Sequence, residues 1–183
     1  MFVDTYANYP ILSALVIGKL TAQKLLVIVK AIYAILISFG VCAIATALEG
    51  ACAGKNVKSF FATLRFPRYS PPLRAWTIIG GTYYLISFFV IYRLLRINSD
   101  STLRYAALSL VLFMMIVNAL TNYIIFRAHN LRLSFIIGAL FPLMDTALFI
   151  CLTLVDHPAA WSLVPYLLYR IYAVGGVRSN EIE

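Results

Sequence analysis

Residues 25–48 read LLVIVKAIYAILISFGVCAIATAL, an apolar run interrupted by a single charge, Lys30, near its beginning. A helix needs about 20 apolar residues to cross the hydrocarbon core of a bilayer, and this run is long enough. Four further runs come close to that length, and they predict spans over residues 75–92, 105–126, 133–155 and 159–174. The sequence therefore predicts an all-α membrane protein, a bundle of five transmembrane helices.

Composition agrees with a membrane protein. The chain has 183 residues, of which 62% are apolar and 12% are charged, and its mean hydropathy is +0.89. One soluble core of this length could not hide so much apolar surface. The formal net charge of +8 comes from Lys and Arg that flank the apolar runs, where such residues meet lipid headgroups and set topology. Membrane lipids are therefore expected partners and nucleic acid is not.

The predicted spans divide the chain into three parts. Residues 1–24 contain a short apolar stretch bounded by Lys19 and Lys24, which favours an interfacial helix over a crossing. Residues 25–178 form the transmembrane domain, and residues 179–183 form a polar C-terminal tail. The longest loop, residues 49–74, ends in a proline-rich stretch, and successive prolines favour an extended backbone there.

Asp145 is the single acid in the middle of an apolar run. A carboxylate at that depth costs several kcal/mol unless it is paired, wetted or protonated, so we expect it to face the bundle interior. It is either a proton, cation or ligand site, or a structural acid at a helix contact. Pro142 frees a backbone carbonyl one turn earlier, and no residue of the predicted spans stands out as its partner.

Two amides and several aromatic residues are candidate binding groups. Asn118 and Asn122 are one helical turn apart, so their side chains share a face of the third span. Such amides either join helices in lipid or bind a ligand. Tyr84 and Tyr169 lie near the middle of their spans, where each hydroxyl needs a partner if buried, and they could line an apolar pocket with a polar rim.

Small residues predict close helix packing. Gly50 and Gly54 continue a stripe of small residues along the first span, and Gly80 and Gly81 are adjacent in the second. Small residues let helix backbones approach one another, within one molecule or across a dimer seam. A glycine pair can equally leave space for a bulky ligand, and these alternatives stay open.

The sequence shows no catalytic or metal-binding pattern. It contains no Ser/His/Asp or Cys/His arrangement, no phosphate-binding loop and no HExxH. Its three cysteines form no CxxC pair and have no neighbouring histidine. We therefore expect a protein that is not an enzyme and has no metal site.

Three stretches carry a resemblance to the TspO/MBR family, the tryptophan-rich sensory proteins and translocator proteins. Ser70-Pro71-Pro72 leads into the second span, with Tyr84 at the place of the tyrosine that ends the family signature PPxWxFxxVWTxLY. Asn118 and Phe126 resemble the spacing from the family's asparagine to its paired phenylalanines. Residues 158–169, PAAWSLVPYLLY, are similar to AAxLLxPYLxW. With five spans and a long first loop, the resemblance covers roughly residues 25 to 178.

The chain also departs from the family pattern at its aromatic positions. Arg74, Gly80, Thr121 and Tyr169 stand where the family has tryptophan, and Val177 stands where it has a closing asparagine. The aromatic positions line the family's ligand pocket. Their replacement is what one would find in a member that has become a structural subunit of a larger membrane complex.

The resemblance implies a compact five-helix bundle of TspO/MBR type whose pocket lies between the first, second, third and fifth spans. The expected ligand is a tetrapyrrole, a sterol or a phospholipid, and the candidate lining residues are Trp76, Tyr84, Asn118, Asn122, Tyr166 and Tyr169. Pro165, with the glycines, is a candidate packing position. The alternatives are an accessory subunit or homodimer, and then a proton-coupled transporter using Asp145. A mitochondrial membrane is expected ahead of a bacterial inner membrane.

Overall fold

The computed structural model describes residues 9–55, 57–63, 73–97 and 101–178 of the chain. Within these ranges the structure is helical, with five long helices and one short one. The helices are α1 Tyr9–Ala53, α2 Val57–Thr63, α3 Leu73–Arg96, α4 Thr102–Phe126, α5 Leu131–Val155 and α6 His157–Arg178.

Among the described residues, four helices are long and apolar enough to cross a membrane, over Ala22–Ala53, Thr77–Arg96, Thr102–Phe126 and Leu131–Val155. These correspond to the first four predicted spans. The fifth prediction, residues 159–174, falls on α6, a helix of 22 residues. α6 is not among the four, so its crossing of the membrane stays a prediction.

The first helix differs most from the prediction. α1 continues without a break from Tyr9 to Ala53, so a separate interfacial helix over residues 1–24 is not confirmed. Pro10 is compatible with this start, because the first turn of a helix has no use for the missing N–H. At the other end, Glu49 and Gly50 belong to the helix instead of beginning the loop. Residues 1–8, the proline-rich residues 64–72 and the predicted tail 179–183 lie outside the described residues.

The five long helices pack in a ring. α1 contacts α3 and α4, α4 contacts α5, α5 contacts α6, and α6 returns to α3, while α3 also touches α4 across the ring. Of the consecutive long helices, α1 and α3, α4 and α5, and α5 and α6 are neighbours in the ring, whereas α3 and α4 touch only across it. The buried core is built from side chains such as Val90, Ile91, Leu94, Met114 and Leu152, all at most 2% exposed.

The outer surface of the ring is apolar. Phe39 on α1, Leu85 on α3, Phe135 and Leu143 on α5 and Leu168 on α6 are each more than 60% exposed. A soluble monomer rarely exposes contiguous apolar surface of this extent, whereas hydrocarbon solvates it. The packing thus supports the conclusion drawn from hydropathy.

The corner between α5 and α6 is a single residue, Asp156, whose backbone is extended. Its carboxylate accepts hydrogen bonds from Nε and Nη2 of Arg93 on α3, both at 2.9 Å, and from the backbone N–H of Ala159 at 3.3 Å. The last bond satisfies an amide in the first turn of α6. One buried carboxylate therefore starts α6 and ties its beginning to α3.

Candidate functional site

Glu49, in the last turns of α1, joins three helices through hydrogen bonds. Its Oε2 accepts from the hydroxyl of Tyr84 on α3 at 2.5 Å. Its Oε1 accepts from Nδ2 of Asn118 and Nδ2 of Asn122 on α4, each at 2.5 Å. We call these four residues the Glu49 cluster. All four are half-buried, so the cluster lies at the edge of the core.

Helix periodicity explains why these residues meet. Asn118 and Asn122 share the face of α4 that packs against α1. Glu49 lies seven residues, about two turns, after Cys42, so both lie on one face of α1. The Sγ of Cys42 is 3.8 Å from the backbone carbonyl oxygen of Tyr84, which shows that this face meets α3.

The sequence does not indicate Glu49 as a candidate site residue, because the first span is predicted to end at Leu48. A signal for it existed in the helix periodicity, because Glu49 follows Cys42 by seven residues and so lies two turns further along the face of α1 that meets α3. Extending the helix by a single turn places an acid opposite the two predicted amides.

A row of aromatic rings runs from the cluster toward α6. The ring of Tyr83, 8% exposed, lies edge-on to that of Tyr84 at 5.3 Å between centroids. It also contacts the ring of Tyr166 on α6, again at 5.3 Å. We call Tyr84, Tyr83 and Tyr166 the tyrosine row. Two of the predicted lining residues, Tyr84 and Tyr166, are therefore connected through a buried tyrosine that sequence reasoning did not single out.

Tyr169 and Trp76 are the two remaining predicted lining residues. Tyr169 is half-buried on α6, one turn from Tyr166. Trp76 lies on α3, but its side chain is outside the part of the chain that the structure describes. The structure thus assembles Tyr84, Asn118 and Asn122 directly and joins Tyr166 to them through the row.

Asp145 has a partner that its sequence neighbourhood did not reveal. It is 1% exposed, and its Oδ2 accepts a hydrogen bond from Nε of Arg170 on α6 at 3.1 Å. The same guanidinium lies 4.4 Å from the centroid of the Phe141 ring and 5.5 Å from that of Tyr166. Arg170, which lies near the end of the fifth predicted span, therefore supplies the countercharge of Asp145 inside the bundle.

The glycines predicted as packing positions have little around them. A Cβ at Gly50, Gly80 or Gly81 would meet no atom of the described residues within 4 Å. Gly54 differs, because its φ is +74° and a Cβ there would lie 3.3 Å from Nε of Arg127. Pro165 is an exposed residue inside α6. A dimer seam or an open space at Gly50, Gly80 and Gly81 stays a prediction.

These features define a polytopic helical membrane protein whose helices are joined inside the bundle by a few buried polar contacts. A comparison with family models finds a match to the TspO/MBR family over residues 34–175. Because that match spans more than half of the sequence, the chain belongs to the TspO/MBR family. The searches of curated proteins and of solved structures gave no match.

Proposed function

We propose that this protein binds a hydrophobic ligand inside the bundle, beside the tyrosine row and the Glu49 cluster, and does so without catalysing a reaction. The observation that carries the proposal is the convergence of Tyr84, Asn118 and Asn122 on Glu49. Polar side chains are rare at membrane depth and mark binding sites by default. Here they border aromatic surface, the combination that is typical of pockets for apolar ligands with one polar end.

The chemistry of the cluster favours certain ligands. A sterol hydroxyl or a pyrrole N–H could donate to Glu49, and a carboxylate of a tetrapyrrole could accept from Asn118, Asn122 or Tyr84. A phospholipid would have to bring its headgroup to the same point. In each case the rings of the tyrosine row would contact the apolar body, and the ligand's polar group would exchange hydrogen bonds with the cluster.

Binding is tested with the purified protein in detergent, titrated with protoporphyrin IX, cholesterol or phosphatidylcholine. The informative variant is Tyr84→Phe, which removes one hydroxyl and keeps the ring. Because one hydrogen bond contributes about 0.5–1.5 kcal/mol, the Kd should change about 2- to 12-fold. Tyr123→Phe is the matched control, since Tyr123 is 45% exposed on α4 and should leave the Kd unchanged. Lack of saturable binding by all three ligands, or an equal effect of both variants, refutes the proposal.

A second candidate function is that of a structural subunit in a larger membrane complex. It is favoured by the fact that the Glu49 carboxylate already accepts three hydrogen bonds from its own chain, which is what a helix cross-link requires. Extraction in a mild detergent followed by native electrophoresis tests it. Migration at the mass of the 20.5 kDa chain in its micelle would exclude this role, and co-migration with other proteins would support it.

We do not propose a proton-coupled transporter that uses Asp145. The ion pair with Arg170 supplies a structural reason for an acid at this depth, because a paired charge is tolerated where a lone one is not.

A further inference from the structure

A cavity of about 540 Å³ opens between α1, α3 and α4, far from the Glu49 cluster. Three basic residues line it, one from each helix: Lys30 on α1, Arg96 at the end of α3 and Arg104 at the start of α4. Glu49 comes nineteen positions after Lys30 on α1, roughly 28 Å along the helix axis at 1.5 Å per residue. The cavity therefore lies toward the other end of the bundle.

Neighbouring groups hold the guanidinium groups of Arg104 and Arg96 in position. Nη1 of Arg104 donates to the backbone carbonyl oxygen of Ile97 at 2.9 Å, directly after the end of α3. Nη1 of Arg96 donates to the hydroxyl of Tyr92 at 2.9 Å, and its guanidinium lies 5.6 Å from that ring's centroid. Binding a ligand to guanidinium groups that are already oriented costs less side-chain conformational entropy than binding that must first order them.

The remainder of the cavity lining is mostly apolar. Val27 and Ile37 of α1 and Leu95 of α3 contribute aliphatic side chains, and Ala34, only 3% exposed, also lines the cavity. The cavity is thus basic on one part of its surface and hydrocarbon on another. Its volume is within the range of sites that hold a ligand of several hundred daltons, roughly 300–1,000 Å³.

Positive charge dominates this end of α3 and α4. The link between the two helices contributes one acidic residue by sequence, Asp100, against three basic residues in the lining. Asp156 binds Arg93 in a two-pronged ion pair, so that arginine and that acid neutralise each other. A net positive charge therefore remains around the cavity.

We propose that this cavity binds the phosphate headgroup of an anionic phospholipid, with the first carbons of an acyl chain against the aliphatic wall. Guanidinium groups pair with phosphate oxygens through charge-assisted hydrogen bonds, and basic pockets between transmembrane helices recognise anionic lipid headgroups. Arg96 and Arg104 lie at helix ends, and Lys30 lines the same cavity from within α1. This site is separate from the Glu49 cluster and does not depend on the function proposed there.

The test compares wild type with Lys30→Gln/Arg96→Gln in nanodiscs that contain equal amounts of phosphatidylglycerol and phosphatidylcholine. Native mass spectrometry then measures the ratio of the two lipids that stay bound. Each basic residue near the headgroups strengthens attraction of an anionic lipid about fivefold, so the double variant should lower the preference for phosphatidylglycerol roughly 30-fold. The conservative pair Lys30→Arg/Arg96→Lys should retain it.

The matched control is Lys55→Gln/Lys58→Gln, which removes the same charge from two exposed residues beyond the end of α1. It should keep the wild-type lipid preference. An equal loss in both double variants would mean that only net charge matters, and no loss in either would mean that the cavity is not the site; each result overturns the proposal. Inorganic phosphate is added to the protein in phosphatidylcholine nanodiscs as a further test. If the phosphate binds and phosphatidylglycerol does not displace it, the cavity prefers free phosphate to a lipid headgroup, and this result also overturns the proposal.

Discussion

The contribution of Glu49 to stability can be predicted from its three hydrogen bonds. Glu49→Ala leaves the Tyr84 hydroxyl and the amides of Asn118 and Asn122 without their shared acceptor. Hydrogen bonds between membrane helices contribute about 0.6 kcal/mol each on average and up to about 1.7 kcal/mol. Loss of all three should therefore lower the free energy of unfolding by about 2–5 kcal/mol.

Glu49→Gln is the matched control, because it keeps the size of the side chain and one carbonyl oxygen. That oxygen can still accept from both asparagines, and the new amide can donate to the Tyr84 hydroxyl. We expect Glu49→Gln to lose about 1 kcal/mol or less, since the bonds survive without the assistance of charge. The assay is unfolding of the purified protein from mixed micelles with increasing sodium dodecyl sulfate, followed by circular dichroism.

A double-mutant cycle between Glu49→Ala and Asn118→Ala isolates the pair. The two losses should be non-additive by about 0.5–1.5 kcal/mol, because each single variant already removes the same bond. If Glu49→Ala proves as stable as wild type, or if the two losses add, the hydrogen bonds of the cluster do not hold α1 to α4 and the reasoning fails.

Three further perturbations have expected outcomes that the same unfolding assay measures. Asp145→Leu should cost about 3 kcal/mol or more by leaving Arg170 unpaired, and Arg170→Leu in addition should restore over half of the loss; equal stability of single and double variants contradicts the pairing. Gly54→Ala should cost about 1–2 kcal/mol because its φ of +74° disfavours a Cβ, whereas Gly50→Ala, with open space around it, should be neutral or stabilising. Arg93→Lys should lose about 1 kcal/mol because an ammonium cannot replace the two-pronged bond, and an unchanged midpoint would argue against that geometry.

The helical spans illustrate what local patterns can predict. Predicted boundaries such as 105–126 and 133–155 differ from α4 and α5 by at most three residues. A continuous run of apolar side chains has one stable environment, and its length matches the bilayer. The N-terminal part of α1 was predicted less well, because Lys19 and Lys24 suggest an end to a span but do not break a helix.

For the polar contacts of Glu49 and Asp145 inside the bundle, the sequence indicates one partner and misses the other. Asn118 and Asn122 were selected because one turn separates them, a relation that lies within one helix. Glu49 falls in the predicted loop, and its contact with the two amides cannot be predicted from local patterns because 69 and 73 residues along the chain separate it from them. Asp145 is expected in the interior, but the sequence does not indicate its partner Arg170, which lies 25 residues later on another helix.

Hydropathy and motif spacing were therefore sufficient to establish a helical membrane protein of the TspO/MBR family, because each depends on residues close together in the chain. The partners of Glu49 and Asp145, the tyrosine row and the basic cavity depend on how each helix is rotated about its axis and which neighbour it packs against. Those choices result from the packing of five helices at once, so they emerge only when the helices are assembled.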